Sequence, residues 1–291
     1  MHETRGGLLI MQTAVFTTVA MFAFAANSLL CRFALQRGEI DPISFAAIRL
    51  VSGAIILAVI VRLRSERSSP SHADWIAASM LFAYVAFFSF AYLTLPAGTG
   101  ALILFGAVQL TMLSVGLRSG EKFGYAAWLG LALAVAGLFY LVSPGIAAPP
   151  LLGAALMAIA GVAWGVYSLR GRSLTDPLAA TAGNFARAAL LAPLLSLLFI
   201  VNARAYTDAA GVALGIASGA LTSGIGYVIW YAALRRLSAM RAATVQLSVP
   251  LIAAFGGVVF LSEAITPRLT VASTAILGGI AMAMTSRSRN H

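Results

Sequence analysis

The chain has 291 residues, 60% of them hydrophobic and only 10% charged, and a mean hydropathy of +0.93. That excludes a soluble domain, which needs about a quarter of its residues charged, so most of the outer surface must face lipid. The formal charge is +10, but the basic residues stand singly between apolar runs and form no stripe to grip nucleic acid. With one cysteine, Cys31, and three histidines outside the apolar runs (His2, His72 and His291), a disulfide framework and a cysteine-based metal cluster are excluded, and no cofactor is expected.

In chain order, apolar runs lie near 9–31, 43–61, 75–95, 97–117, 123–142, 151–169, 178–200, 209–234, 239–261 and 269–285. Each approaches the roughly 20 residues that a bilayer-crossing helix requires. The first is too long for a secretory signal core and reads as a retained helix, with Asn27 deep inside it. The second opens at Asp41-Pro42 and carries Arg49, close enough to its start to snorkel toward the surface. The third stacks Tyr84 and Phe88 one turn apart. The fourth holds Gln109, and the fifth holds Gly130 and Gly137 as close-packing positions. Pro144, Gly145, Pro149 and Pro150 make an uncharged break before the sixth, where Trp164 and Tyr167 lie one turn apart. Trp164 lies too deep for an interfacial belt, unlike Trp75 and Trp128.

The seventh run opens at Asp176-Pro177. It carries Arg187 well inside and Pro193, which is expected to bend it. In the eighth, Gly211, Gly215 and Gly219 at four-residue spacing predict close helix packing, followed by Tyr227, Trp230 and Tyr231. In the ninth, Gln246 lies four residues before Pro250. A proline has no amide hydrogen, so the Gln246 carbonyl loses its helical partner and a kink is expected there. The tenth carries Gly278 and Gly279.

Sorting the 19 basic residues by side gives an orientation. With an inside N-terminus, Arg32, Arg37, Arg204 and Arg268 fall outside, Arg49 and Arg187 fall within spans, and all the others fall inside. The positive-inside rule therefore places both termini in the cytoplasm and requires an even number of spans.

The two halves, 1–146 and 147–291, resemble each other weakly. A shift of 142 positions pairs Ala91 with Ala233, Leu95 with Leu237, Glu121 with Glu263 and Gly137 with Gly279, and a shift of 135 pairs the two Asp-Pro starts. Five spans per half oblige the second half to insert upside down. Inverted repeats of this kind place a substrate site near the midplane where the halves meet. The expected fold is thus all-α and integral to the membrane, with ten transmembrane helices as two inverted five-helix repeats around a central cavity.

The run Tyr231-Ala232-Ala233-Leu234-Arg235-Arg236-Leu237-Ser238-Ala239, then Pro250, then Leu261-Ser262-Glu263, resembles the second repeat of the EamA-type drug/metabolite transporters. Within that superfamily the chain resembles the YddG-type exporters of aromatic and other neutral amino acids. The first half departs from the pattern, with Val108 where the second has Pro250. The resemblance implies alternating access around a central cavity in a bacterial inner membrane, with a small-molecule substrate.

All nine acidic residues lie in loops or at span ends. Ion-coupled transporters commonly place a carboxylate or histidine within the membrane, so uncoupled, facilitated movement is expected. Candidate substrate-binding residues are Asn27, Tyr84, Phe88, Trp164, Tyr167, Tyr227 and Gln246, whose rings and amides suit an aromatic side chain and an ammonium group. Pro193 and Pro250 are candidate kinks or gates. Arg49 and Arg187 read either as anchors for a carboxylate or as structural caps on carbonyls. An exporter of drugs or lipophilic cations, and a non-transporting scaffold or receptor subunit, are the competing readings. An enzyme is disfavoured because no histidine or carboxylate lies in a span to activate a nucleophile. The oligomeric state is open, a monomer included.

Overall fold

The structure, a computed structural model, describes residues 2–64, 74–118, 124–171, 174–237 and 239–287. Glu121 and Lys122, and the histidines His72 and His291, lie outside the described residues. The helices are α1 (His2–Gln36), α2 (Pro42–Leu63), α3 (Trp75–Ala91), α4 (Ala97–Arg118), α5 (Tyr125–Val142), α6 (Leu151–Gly171) and α7 (Pro177–Val201). They continue as α8 (Ala209–Ile216), a π-helical segment (Ala217–Ile225), α9 (Gly226–Leu234), α10 (Ala239–Gln246), α11 (Val249–Leu261) and α12 (Pro267–Arg287). The eighth span comprises α8, the π segment and α9, the ninth comprises α10 and α11, and the tenth is α12. Nine spans among the described residues are long and apolar enough to cross a bilayer, and the other, Trp75–Ala91, is an apolar helix of 17 residues.

Aspartate starts the second and third spans of each half. Asp41 accepts from the amides of Ile43 and Ser44, Asp74 from Ala77, Asp176 from Ala179 and Asp208 from Gly211. Each carboxylate satisfies donors that a helix start otherwise leaves bare, which in lipid has no water to compensate it.

Three spans depart from plain helices. The third ends at Ala91, earlier than its apolar run, because Tyr92 to Leu95 turn ahead of Pro96. The eighth widens into π geometry over Ala217–Ile225. The ninth breaks at Leu247-Ser248, where these two amides bond back to Thr244 and Val245 in tight turns before α11 starts at Val249-Pro250. Pro193 sits on an exposed face of α7, within one continuous helix.

The packing repeats when the halves are exchanged. The third span packs on the sixth as the eighth packs on the first, the fourth lies against the sixth as the ninth does against the first, and the second meets the eighth as the seventh meets the third. The fifth pairs with the tenth, the second with the seventh and the fourth with the ninth, each across the pseudo-twofold axis. α1 starts at the end where Arg236 meets Gln12 and finishes at the end where Arg32 meets Glu263, whereas α6 runs the opposite way, from Gly153 beside Thr94 to Arg170 beside Asp74. The repeats are therefore inverted. At the α5–α12 crossing Gly130 and Gly279 face each other, and a Cβ on Gly279 would lie 2.5 Å from the Gly130 carbonyl oxygen.

The two ends of the bundle differ. At one, Arg32 pairs with Glu263 at 3.2 Å and donates to the Tyr92 and Leu93 carbonyls, while Glu263 also accepts from the first amide of α4 at 2.8 Å. Ile40 and Thr207 form a bridge there, and Asp41 accepts from the Tyr206 amide. This end is closed. The other end, which carries the start of α1 and the end of α12, is open.

Candidate functional site: a central cavity and an aromatic wall

A cavity of about 1060 Å³ enters from the open end and runs between the halves. Its mouth is charged: Arg64 pairs with Asp176 at 3.5 Å and Arg170 with Asp74 at 3.0 Å, with Arg235 and Arg236 beside them. Burial alone would raise the Asp74 carboxyl, but the Ala77 amide and the Arg170 guanidinium hold it below its ordinary value.

Deeper, the walls become aromatic and neutral. Trp164 stacks on Tyr227 with centroids 5.6 Å apart and planes 21° apart, and on Tyr167 at 5.3 Å. Tyr227 in turn lies 6.3 Å from Tyr231. One hydroxyl organises two of these rings. Thr181 donates its proton to the Pro177 carbonyl at 2.7 Å, so its oxygen accepts from Tyr167 at 3.3 Å and from Tyr231 at 2.9 Å. The rings are thus held at their rims by one hydroxyl while their faces stack on Trp164 and Tyr227. Gln109, Asn184 and Gln246 add amides to the lining. Gln109 is 3% exposed, and its Nε2 has no hydrogen-bond partner. A buried donor left bare loses free energy of about 1–3 kcal/mol, which an incoming acceptor would recover.

Of the residues that sequence reasoning selected, Trp164, Tyr167, Tyr227 and Gln246 line this cavity. Tyr84, Phe88, Asn27 and Arg49 lie behind its deep wall, on the closed side. Tyr84 packs against Trp164 at 4.9 Å and Phe88 against Tyr84 at 5.4 Å. Asn27 is the hub of a polar cluster: its Oδ1 accepts from Ser218 and Thr222 at 2.7 Å each, and its Nδ2 donates to Ser223 at 3.2 Å.

Arg49 does not snorkel. It is fully buried, donates from Nε to Ser223 at 3.1 Å and from Nη2 to the Tyr84 hydroxyl at 2.9 Å, and leaves Nη1 without a partner. The reason is helical phase. Arg49 projects toward the π segment, where Gly219 lacks the Cβ that would collide with the Arg49 carbonyl. Arg187 lies on a flank of the bundle, donating to the Gly183 carbonyl of its own helix at 3.5 Å, with its guanidinium 6.0 Å from the Trp75 ring. Pro250 is buried beside the break in the ninth span. Thr181, Asn184 and the two mouth ion pairs escaped the sequence reading. The repeated Asp-Pro start was their one signal, since Thr181 and Asn184 follow Asp176 on the same helix. Among the described residues no three His, Cys, Asp or Glu side chains cluster as a metal site.

Comparison with known proteins agrees with this architecture. Residues 11–143 and 151–285 each match the EamA-like transporter family. An uncharacterized protein of Pseudomonas aeruginosa is 52% identical over 95% of this chain and 96% of its own. A probable terminal-alkyne amino-acid exporter of Streptantibioticus cattleyicolor is 27% identical over 92% of this chain and 91% of its own. The threonine/homoserine exporter RhtA of Escherichia coli is 29% identical over 57% of this chain and 56% of its own. A crystal structure that is 20% identical superposes with a TM-score of 0.65, covering 93% of this chain and 96% of that one, and shares the fold.

Proposed function

Because this chain belongs to the EamA-like transporter family, and so is a multi-pass membrane transporter for a small molecule, we propose that it exports small neutral amino acids, aromatic ones foremost. The transport is uncoupled and proceeds by alternating access. The observation that carries the reading is the lining of the deep cavity, which combines the stacked rings of Trp164 and Tyr227 with a buried Gln109 Nε2 that has no hydrogen-bond partner. A planar side chain fits the rings, and a polar backbone end fits the amides. Among the described residues, no carboxylate or histidine lines the cavity beyond its mouth, and uncoupled movement is in keeping with that. The names of two relatives, an amino-acid exporter and a probable one, favour an amino-acid cargo and the outward direction. The positive-inside bias of the sequence supports a cytoplasmic open end, and on this reading the cavity faces inward across a bacterial inner membrane.

The test is counterflow of labelled phenylalanine in liposomes holding the purified protein. Uptake is expected to follow the amino-acid gradient alone. Trp164→Ala is expected to weaken apparent affinity roughly tenfold, the scale of an aromatic stacking contribution of about 1.5 kcal/mol. Accumulation driven by an imposed proton or sodium gradient would overturn the uncoupled mechanism. A second reading, export of flat organic cations, draws on Asp74 and Asp176 at the mouth of an aromatic cavity. It prevails if such a cation is carried and phenylalanine neither moves nor competes.

A further inference from the structure

We propose that Arg49 is the anchor for a substrate carboxylate, sealed behind the aromatic wall in this state and exposed in a second vestibule when the opposite end opens. The inference deepens the transporter reading by naming the chemical group it must recognise, and it rests on that reading.

Three observations carry it. First, Arg49 is a complete charge without a counter-charge. It is 0% exposed, its hydrogen-bond partners are two neutral hydroxyls, its guanidinium lies 5.1 Å and 5.0 Å from the centroids of the uncharged Tyr84 and Phe88 rings, and Nη1 has no hydrogen-bond partner. None of the ion pairs among the described residues includes it. A guanidinium stays protonated at any working pH and presents a fork of donors matched to a carboxylate. An intramembrane charge left in this condition points to a ligand.

Second, the inverted repeat gives Arg49 a counterpart. Arg49 follows the capping Asp41 by eight residues, and Asn184 follows the capping Asp176 by eight. Tyr84 and Phe88 stand seven and three residues before the end of α3, as Tyr227 and Tyr231 stand before the end of α9, a shift of 143 that the turns after the two helices share and that is one residue more than the 142 pairing Ala91 with Ala233 in sequence. Asn184, Tyr227 and Tyr231 all line the open cavity. If the halves exchange conformations when the open end closes, as inverted repeats permit, Arg49, Tyr84 and Phe88 take up the water-facing positions. The opposite vestibule then carries a guanidinium at the position that Asn184, whose Oδ1 accepts from the Asp74 backbone amide at 3.2 Å, holds in the open cavity.

Third, the separation is a single layer. Tyr84 holds Arg49 Nη2 through its hydroxyl and packs its ring on Trp164 at 4.9 Å. A ligand resting on Trp164 is therefore one ring away from the arginine, and displacement of Tyr84 would free Nη2 beside the already bare Nη1.

The experiment measures equilibrium binding to the purified full-length protein, by ligand-induced shift of the melting temperature. The probes are phenylacetate, which has a carboxylate and no amine, and phenethylamine, which has an amine and no carboxylate. Phenylalanine counterflow is run in parallel. In Arg49→Gln, phenylacetate binding is expected to weaken about thirtyfold, as loss of a charge-assisted hydrogen bond implies, with phenethylamine unchanged. Should that variant fail to fold, Arg49→Lys keeps the charge and loses the fork, and phenylacetate alone should weaken about tenfold. Equal loss of both probes in a folded variant marks a structural arginine and overturns the anchor. Phenylalanine counterflow that is indifferent to Arg49→Gln also overturns it and leaves the amino-acid reading standing. Arg49-dependent phenylacetate binding without any phenylalanine transport keeps the anchor and overturns the amino-acid reading. No phenylacetate or phenylalanine binding by the wild-type protein overturns both.

Discussion

Asp74 does two jobs with one side chain, capping α3 through the Ala77 amide and pairing with Arg170 across the cavity mouth. Its carboxyl is more acidic in the folded protein than in an unfolded chain, so folding favours the ionised form. The stabilisation is then complete above the ordinary aspartate value, about 3.9, and is lost as pH falls through the lower folded value. The melting-temperature difference between wild type and Asp74→Asn is accordingly expected to be small and the same at pH 8 and pH 5, and to shrink only in stronger acid. A difference that changes between pH 5 and 8 would mean that some other group governs the mouth. Among single residues, the aromatic ones were the most legible in sequence. Trp164, Tyr167 and Tyr227 betray themselves by depth and by one-turn spacing and reach the cavity, whereas Tyr84 and Phe88, with the same spacing, lie behind its wall. Arg49 was misplaced because depth along a helix measures distance to the surface and says nothing of which neighbour a face meets. Thr181 and Asn184 were missed because small polar residues in a helix give no periodic signal until the facing tyrosines are located.

The elements tell a similar story about backbone. Span number, the Asp-Pro starts and the break before Pro250 follow from local chemistry: a side-chain acceptor at a helix start, and an absent amide. The π segment does not. Its hydroxyls and glycines suit many regular helices, and it becomes intelligible only with Asn27 and Arg49 packed against Ser218, Thr222 and Ser223. Glycine positions divide sharply once the partner helix is known. Gly279 meets the backbone of Gly130 and Ala134, whereas Gly278 has nothing within 4 Å of a notional Cβ. Only the first is a packing position, a distinction that adjacent glycines hide in sequence. Gly279→Ala should therefore force the α5–α12 crossing apart and destabilise by about 1–3 kcal/mol, with Gly278→Ala close to neutral. Melting curves of both variants in detergent decide the matter, and equal effects would contradict the crossing described here.

At the scale of the molecule, the sequence conveyed the inverted repeat through span parity and charge bias, because both are global counts that survive local error. It could not convey which end stands open. That depends on a balance between two sets of weak closures, Arg32 with Glu263 at one end and the Arg64–Asp176 and Arg170–Asp74 pairs at the other. Neither end is locked by buried hydrocarbon alone, which suits a device that must switch. Cys31, the chain's one thiol, is fully buried on the closed side, in α1 one residue before Arg32. The unaltered protein consequently carries its own reporter. A membrane-impermeant maleimide should label Cys31 slowly at rest and faster while a transported substrate keeps the protein cycling. If the labelling rate ignores every transported substrate, the two ends do not trade places. If it rises, native sulfur alone suffices to clock the cycle, and no engineered probe need disturb the wall it observes.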